Sequence, residues 1–107
     1  MKVRLSKNAA DYIRQEAAYL RQHSHAAAEH FLERVKSVRR DLEGFAEAGF
    51  ADETLPVPGM RRFLRDGYVY DYRIGVREIE IAAVSSSVNR PLAVPPDDDD
   101  IDFEVKD

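Results

Sequence analysis

The dipeptide Asp66-Gly67 separates two segments in which polar and apolar residues alternate, Met60–Arg65 and Tyr68–Ile74. This dipeptide favours a two-residue type I′ turn, because both of its positions need positive φ. Such a turn joins the two segments as antiparallel strands and determines which residues face each other. The predicted pairs are Arg65 with Tyr68, Phe63 with Tyr70, and Arg61 with Tyr72.

A third alternating segment, Glu78–Val84, follows the pair Gly75-Val76. A second two-residue turn at this pair would make the third strand antiparallel to the second. The predicted pairs would then be Tyr72 with Ile79 and Tyr70 with Ile81. A loop with an odd number of residues would instead turn the third strand over, so this register depends on the length of the turn.

The predicted sheet has one apolar and one charged face. The charged face places Arg62 beside Asp71 and Arg73 beside Glu78, pairs that suit a surface exposed to water. The apolar face is the one that we expect to pack on helices. It consists of Phe63, Tyr70, Tyr72, Ile74, Ile79, Ile81 and Ala83.

Apolar residues in the first half of the chain recur every three or four positions, as in amphipathic helices. Ser6 and Ser24 precede the two repeating segments and are suited to cap a first helical turn. We predict one helix from Lys7 to about Gln22 and a second that starts after Ser24 and frays or stops at Gly44 and Gly49. Their short connection favours an antiparallel helical hairpin.

The chain therefore has the predicted order β-α-α-β-β-β. A short strand, Lys2–Leu5, comes first, and a loop with two prolines, residues 49–59, separates the helices from the sheet. We predict one α+β domain, in which the helical hairpin packs on a twisted antiparallel sheet. This domain comprises residues 1–96, and an acidic tail, residues 97–107, follows it.

The tail dominates the net charge of −4, because residues 97–107 contain seven acidic residues and one basic residue. Residues 1–96 contain 15 basic and 13 acidic residues, a net charge of +2. So small a positive charge attracts phosphates weakly, and we do not expect direct binding to nucleic acid. The lack of cysteine excludes disulfides, and no apolar run is long enough to cross a membrane. We expect a cytoplasmic protein.

Three histidines, His23, His25 and His30, are the first candidates for metal ligands. Their spacings of two and five residues do not place them on one helical face, and no set of carboxylates completes them. The serines of 85–87 lack the glycines of a nucleophile elbow, and no glycine-rich phosphate loop occurs. We predict neither a metal site nor a cofactor.

Four local sequences follow one another in a characteristic order. They are the alanine-rich start of the second helix (26–31), the run Pro58–Phe63, the aromatic strand Tyr68–Ile74 and the strand Glu78–Ile81. With the order of the elements, they resemble the RelE/ParE superfamily of type II toxins, and within it the ParE branch. The resemblance covers roughly residues 3–84. It implies a toxin held inactive in a hetero-oligomer by a cognate, ParD-like antitoxin encoded beside it.

The resemblance leaves the target open, because ParE-like toxins poison DNA gyrase whereas RelE-like toxins cut messenger RNA in the ribosome. Cleavage needs cations around the phosphate and a group that moves a proton. In RelE-like toxins, that group is a tyrosine or histidine near the end of the last strand. Residues 82–90 contain neither. Our first hypothesis is therefore a gyrase inhibitor that acts by binding and has no catalytic residues. The alternatives are a ribonuclease that uses Arg61, Arg65 and Arg73, and a degenerate, non-toxic binding partner whose tail shields its own surface.

The candidate residues for binding the antitoxin or the target are mostly arginines. Cations next to an aromatic ring suit phosphates and bases, as in a nucleic-acid patch. A sheet face closed by internal salt bridges would use the same residues, and the arginines would then bind acids of the antitoxin or a protein target. The candidates are Arg61, Arg62, Arg65, Tyr68, Arg73 and Arg90.

Overall fold

A computed structural model of the chain describes residues 1–51, 54–55 and 58–86. It confirms the predicted α+β fold, with two helices packed on one face of a four-stranded sheet. Arg90 and the tail of residues 97–107 lie outside the described residues. The elements are β1 (Lys2–Leu5), α1 (Lys7–Arg21), α2 (His25–Gly44), β2 (Arg61–Arg65), β3 (Tyr68–Ile74) and β4 (Glu78–Ser86).

The two serines predicted as helix caps do cap α1 and α2. The hydroxyl of Ser6 accepts a hydrogen bond from the N–H of Ala9 at 3.0 Å. Ser24 does the same for the N–H of Ala27 at 3.1 Å. Each cap satisfies a backbone donor that has no partner within its helix, which explains why the helices begin at these positions.

The strands lie in the order β1-β4-β3-β2. Asp66 has a φ of 51° and Gly67 a φ of 84°, as the predicted type I′ turn requires. The register between β2 and β3 is the predicted one, with Arg61 opposite Tyr72 and Phe63 opposite Tyr70. β3 and β4 are also antiparallel, whereas β1 lies parallel to β4 at the edge, so the sheet as a whole is mixed.

The predicted register between β3 and β4 is wrong by two residues. Tyr72 lies opposite Ile81 instead of Ile79. The cause is the hydrogen bond from the N–H of Gly75 to the carbonyl oxygen of Glu78 (2.8 Å), which places the tight turn one residue later than predicted. Because a shift of two residues is even, the alternation of faces is unchanged at this end of the strand.

A β-bulge in β4 changes the alternation further along. Ala82 pairs with no residue of β3, whereas Ile81 and Ala83 pair with consecutive residues of that strand. The extra residue turns the remainder of the strand over. Val84, which is buried, therefore faces the helices opposite Tyr70. The prediction that Ala83 belongs to the apolar face is wrong, because Ala83 lies on the face that the helices leave open.

The core lies between the helices and the sheet. Tyr70 and Tyr72 are its largest completely buried side chains. Burial of a large apolar side chain stabilises a fold by roughly 1.5–3 kcal/mol, so this layer is the main source of stability. Ile74, which we expected in the core, is 37% exposed at the end of the sheet. The core cluster consists of Val3, Ala9, Ile13, Ala17, Phe31, Val38, Leu42, Tyr70, Tyr72, Ile79, Ile81 and Val84.

The hydroxyl of Tyr72 holds the chain that leaves α2. It donates to the carbonyl oxygen of Ala46 at 2.7 Å and accepts from the N–H of Gly49 at 2.9 Å. The next residue, Phe50, exchanges two backbone hydrogen bonds with Arg62 of the edge strand β2. The loop therefore begins with a segment fixed against both β3 and β2.

We predict that Gly49→Ala destabilises the protein. A Cβ atom at Gly49 would lie 2.6 Å from the carbonyl oxygen of Arg62 and 2.8 Å from the hydroxyl oxygen of Tyr72. Overpacking of this kind lowers the free energy of unfolding by about 1–3 kcal/mol, which denaturant unfolding would measure.

The matched control is Gly44→Ala, because a Cβ at the last residue of α2 meets no atom within 4 Å. Alanine favours a helix over glycine by up to about 1 kcal/mol, so this variant should be neutral or slightly more stable. Equal losses in the two variants would contradict the close packing of Gly49.

Candidate functional site

Four of the predicted binding residues are arginines of β2 and β3. Side chains alternate along a strand, so Arg61 and Arg65 lie on the helix side of the sheet, with Tyr70 and Tyr72. Arg62 and Arg73 lie on the open face. The structure therefore does not bring the four arginines together into one patch. The sixth candidate, Arg90, lies outside the described residues.

On the open face, Arg62 binds Asp71 through two parallel hydrogen bonds, as predicted. Nε lies 2.7 Å from Oδ1 and Nη2 lies 3.0 Å from Oδ2. This hydrogen bonding raises the pKa of Arg62 above its already high value. Arg62 is charged but already paired with Asp71, so a partner would have to compete with Asp71 for its guanidinium.

Arg73 does not bind Glu78, as we had predicted, but Glu80, with 3.0 Å between Nε and Oε1. The reason is the register, which places Glu80 directly opposite Arg73. Arg4 of β1 contacts both glutamates. Its Nε lies 2.6 Å from Oε2 of Glu78, and its Nη2 lies 3.1 Å from Oε2 of Glu80. These charges form a network across β1, β4 and β3. Because its members are partly exposed, water screens these charges and the pairs add little to the stability of the fold.

On the helix side, Arg65 links β2 to α2. Its Nη1 lies 2.7 Å from a carboxylate oxygen of Asp41 and donates to the hydroxyl of Ser37 at 2.9 Å. Its guanidinium also lies over the ring of Phe63, 4.9 Å from the centroid. Arg65 is thus a structural contact between the helical layer and the sheet.

Arg61 differs from the other three arginines in its partners. Its Nη2 donates to the carbonyl oxygens of Gly49 at 2.8 Å and Glu47 at 3.3 Å. Its Nε is buried and has no hydrogen-bond partner among the described residues. Within residues 1–51, 54–55 and 58–86, Arg61 is the one sheet arginine without a carboxylate partner. Its guanidinium is held in place by backbone carbonyl oxygens.

Arg61 also lines an open pocket of about 670 Å³, at the end of the sheet away from the turn of residues 66–67. Apart from Arg61, the described walls are mostly apolar. The pocket was not predicted, because it is built largely from a loop that has no periodic pattern. Its other lining residues are Ala51, Leu55, Pro58, Gly59, Met60 and Ile74.

Tyr68 binds a buried acid that the sequence analysis missed. Its hydroxyl donates to the carboxylate of Glu16, a residue of α1 that is only 3% exposed. The ring of Phe31 packs on Tyr68 with 4.8 Å between centroids. The sequence does indicate that Glu16 is buried, because it lies three residues after Ile13 and therefore on the apolar stripe of α1. Tyr68 is therefore an internal contact as well as a candidate for binding.

Two further findings concern other classes of site. In the described part of the chain, no three His, Cys, Asp or Glu side chains come together as metal ligands would. None of the helices described there is both long and apolar enough to cross a membrane.

A family model described as the ParE toxin of type II toxin-antitoxin system, parDE, matches residues 3–90. The chain belongs to this family of ParE toxins. The match includes every candidate binding residue, Arg90 among them. A solved structure of the chromosomal ParDE toxin-antitoxin system from P. aeruginosa has the same fold, with a TM-score of 0.53 and 20% identity. The alignment covers 80% of this chain and 95% of that chain. No curated protein matches the chain.

We predict that the stability of this ParE-type toxin falls as the pH rises from about 10 to about 12. Burial raises the pKa of Tyr68 and of Tyr70 to about 12, from an ordinary value of 10.0. Both hydroxyls hold their protons more tightly in the folded chain. The stability that these two protonated hydroxyls add to the folded state is therefore complete below pH 10 and is lost as the pH approaches 12. Urea unfolding over this range, followed with tyrosinate absorbance, would measure it.

Tyr68→Phe is the matched variant, since it removes one of the two hydroxyls and keeps the ring. Its stability should depend less on pH in this range. At neutral pH it should lose about 1–3 kcal/mol, because buried Glu16 loses a hydrogen-bond donor. A parent protein whose stability stays constant up to pH 12 would contradict the assignment.

Proposed function

We propose that this ParE-type toxin inhibits DNA gyrase by binding to it, and that a cognate antitoxin encoded beside it neutralises it. The observation that carries the proposal is the family match over residues 3–90, which spans all the elements of the fold. The solved structure with the same fold is described as a ParDE toxin-antitoxin system, which supports an antitoxin partner here as well.

The placement of the arginines favours binding over cleavage of RNA. A nuclease needs several cations that converge on one phosphate and stabilise its developing charge. Here two of the arginines lie on each side of the sheet, and three of the four contact carboxylates of the chain itself. The described end of β4, Val84–Ser86, contains no tyrosine or histidine that could transfer a proton. These features support the binding hypothesis over the ribonuclease alternative.

The open face of the sheet is the surface that we propose for the target. Leu64 is 56% exposed there and lies two residues from Arg62, on the same side of β2. Arg73 lies on the same face, on β3. Exposed apolar side chains combined with arginines are typical of surfaces that bind proteins. The proposal thus assigns Arg62, Leu64 and Arg73 to the contact.

The experiment is induction of the chain in a bacterial host, with and without the neighbouring reading frame. We expect cell death with induction of the DNA-damage response, and we expect co-expression of the neighbour to prevent both. Leu64→Glu should abolish killing, because it replaces the exposed apolar side chain of the proposed contact with a negative charge. Val76→Glu is the matched control, since Val76 is 95% exposed in the turn before β4 and lies outside the proposed contact.

Circular dichroism of the two variants would show that both are folded. Death accompanied by loss of messenger RNA, without DNA damage, would contradict the proposal in favour of a ribonuclease. Growth unaffected by induction would favour a non-toxic binding partner.

A further inference from the structure

Phe50 lies beside the edge strand β2 and pairs with Arg62 as a further strand would. The N–H of Phe50 donates to the carbonyl oxygen of Arg62 at 2.9 Å, and the N–H of Arg62 donates back at 2.8 Å. Residues that face each other in an antiparallel pair carry their side chains on the same side of the sheet. Because Arg62 belongs to the open face, the ring of Phe50 lies on the open face as well.

The residue before Phe50 supports this placement. A Cβ atom at Gly49 would lie 2.8 Å from the hydroxyl oxygen of Tyr72, which is on the helix side of the sheet. Successive side chains of an extended segment point to opposite sides, so Phe50 points away from the helices. Its side chain is 46% exposed.

Two apolar residues of the sheet continue the surface that Phe50 begins. Leu64 follows Arg62 by two residues on the same side of β2, and Val69 of β3 lies opposite Leu64. Diagonal neighbours in a sheet have Cβ atoms roughly 7–8 Å apart, within reach of an aromatic ring. We call Phe50, Leu64 and Val69 the apolar strip. Adjacent exposed apolar side chains of this size are typical of surfaces that bind another protein.

The arginines beside the apolar strip already have acidic partners within the chain. Arg62 binds both carboxylate oxygens of Asp71. Arg73 binds Glu80, and both side chains of that pair are partly exposed. A partner that used these arginines would have to compete with the internal contacts, and exposed ion pairs contribute little. The apolar strip is therefore the part of the open face that offers the most affinity to a partner.

We propose that Phe50 is the anchor of the contact with DNA gyrase and that, together with Leu64, it packs on apolar side chains of gyrase. The inference rests on the proposed function and specifies the chemistry of the surface that gyrase presents to this face. Arg62 and Arg73 then lie at the rim of the contact, where they orient the partner. Aromatic residues carry a large share of the energy of protein interfaces, whereas rim contacts are close to neutral.

The test is calorimetric titration of the full chain and its variants into purified gyrase. Phe50→Ala should raise the Kd at least about tenfold, because an aromatic anchor is lost. Phe45→Ala is the matched control. Phe45 is 61% exposed, but it ends α2 on the helix side, next to the Ala46 carbonyl that Tyr72 binds. The control should keep the Kd within about twofold, as expected outside an interface.

Equal effects of Phe50→Ala and Phe45→Ala would overturn the inference, because binding would then respond to any exposed aromatic ring. Both rings are well exposed, so neither substitution should unfold the domain. Circular dichroism of the two variants checks this.

Salt and one charge variant test the apolar character of the contact. Arg73→Gln should change the Kd by less than about threefold, since Arg73 lies at the rim and its charge is exposed. Binding should be no weaker in 1 M salt, where charges act over only about 3 Å, because apolar contacts do not depend on long-range charge. A loss of affinity of about tenfold or more in 1 M salt would show recognition by charge and would contradict the inference.

The outcomes separate this inference from the function on which it rests. If the parent chain binds gyrase and Phe50→Ala binds it equally well, the inference is wrong and the proposed function stands. If the parent chain does not bind gyrase, both are wrong. Analytical ultracentrifugation of the chain alone and with its antitoxin tests the other occupants of the strip. An effect of Phe50→Ala on either of those associations, with binding to gyrase unchanged, would assign the strip to that partner and overturn the inference.

Discussion

Three tyrosines of β3 point toward the helices, and their contacts join the sheet to the helical layer. The Tyr68 hydroxyl binds buried Glu16 of α1, and the Tyr72 hydroxyl holds the backbone of residues 46–49 beyond α2. Between them, Tyr70 is completely buried. Because β3 lies inside the sheet, between β4 and β2, these contacts position both helices relative to every strand.

The same arrangement divides the arginines and determines what each of them can do. A strand that buries alternate side chains under the helices must place the others on the open face. Arg62 and Arg73 therefore meet Asp71 and Glu80 there, whereas Arg61 lies beside the backbone that Tyr72 fixes. Carbonyl oxygens orient Arg61, and no carboxylate of the described ranges pairs with it. An open, partly apolar surface and a separate charged pocket thus result from one pattern of alternation.

Local signals in the sequence predicted the elements of this fold and part of the candidate site. The turn at Asp66-Gly67 determines the pairing of β2 with β3, so the ion pair of Arg62 and Asp71 could be predicted. The partner of Arg73 could not, because it depends on a turn whose position is set by one backbone hydrogen bond of Gly75. The bulge that turns Val84 inward has no signal of its own. The pocket also had none, since a loop without a periodic pattern forms most of it.

We propose that this member of the ParE toxin family acts by binding DNA gyrase. The most direct measurement is calorimetric titration of the purified full chain into purified gyrase, with ribosomes titrated in parallel. The account predicts saturable binding to gyrase that Leu64→Glu abolishes, and no such binding to ribosomes. Saturable binding to ribosomes without binding to gyrase would contradict it.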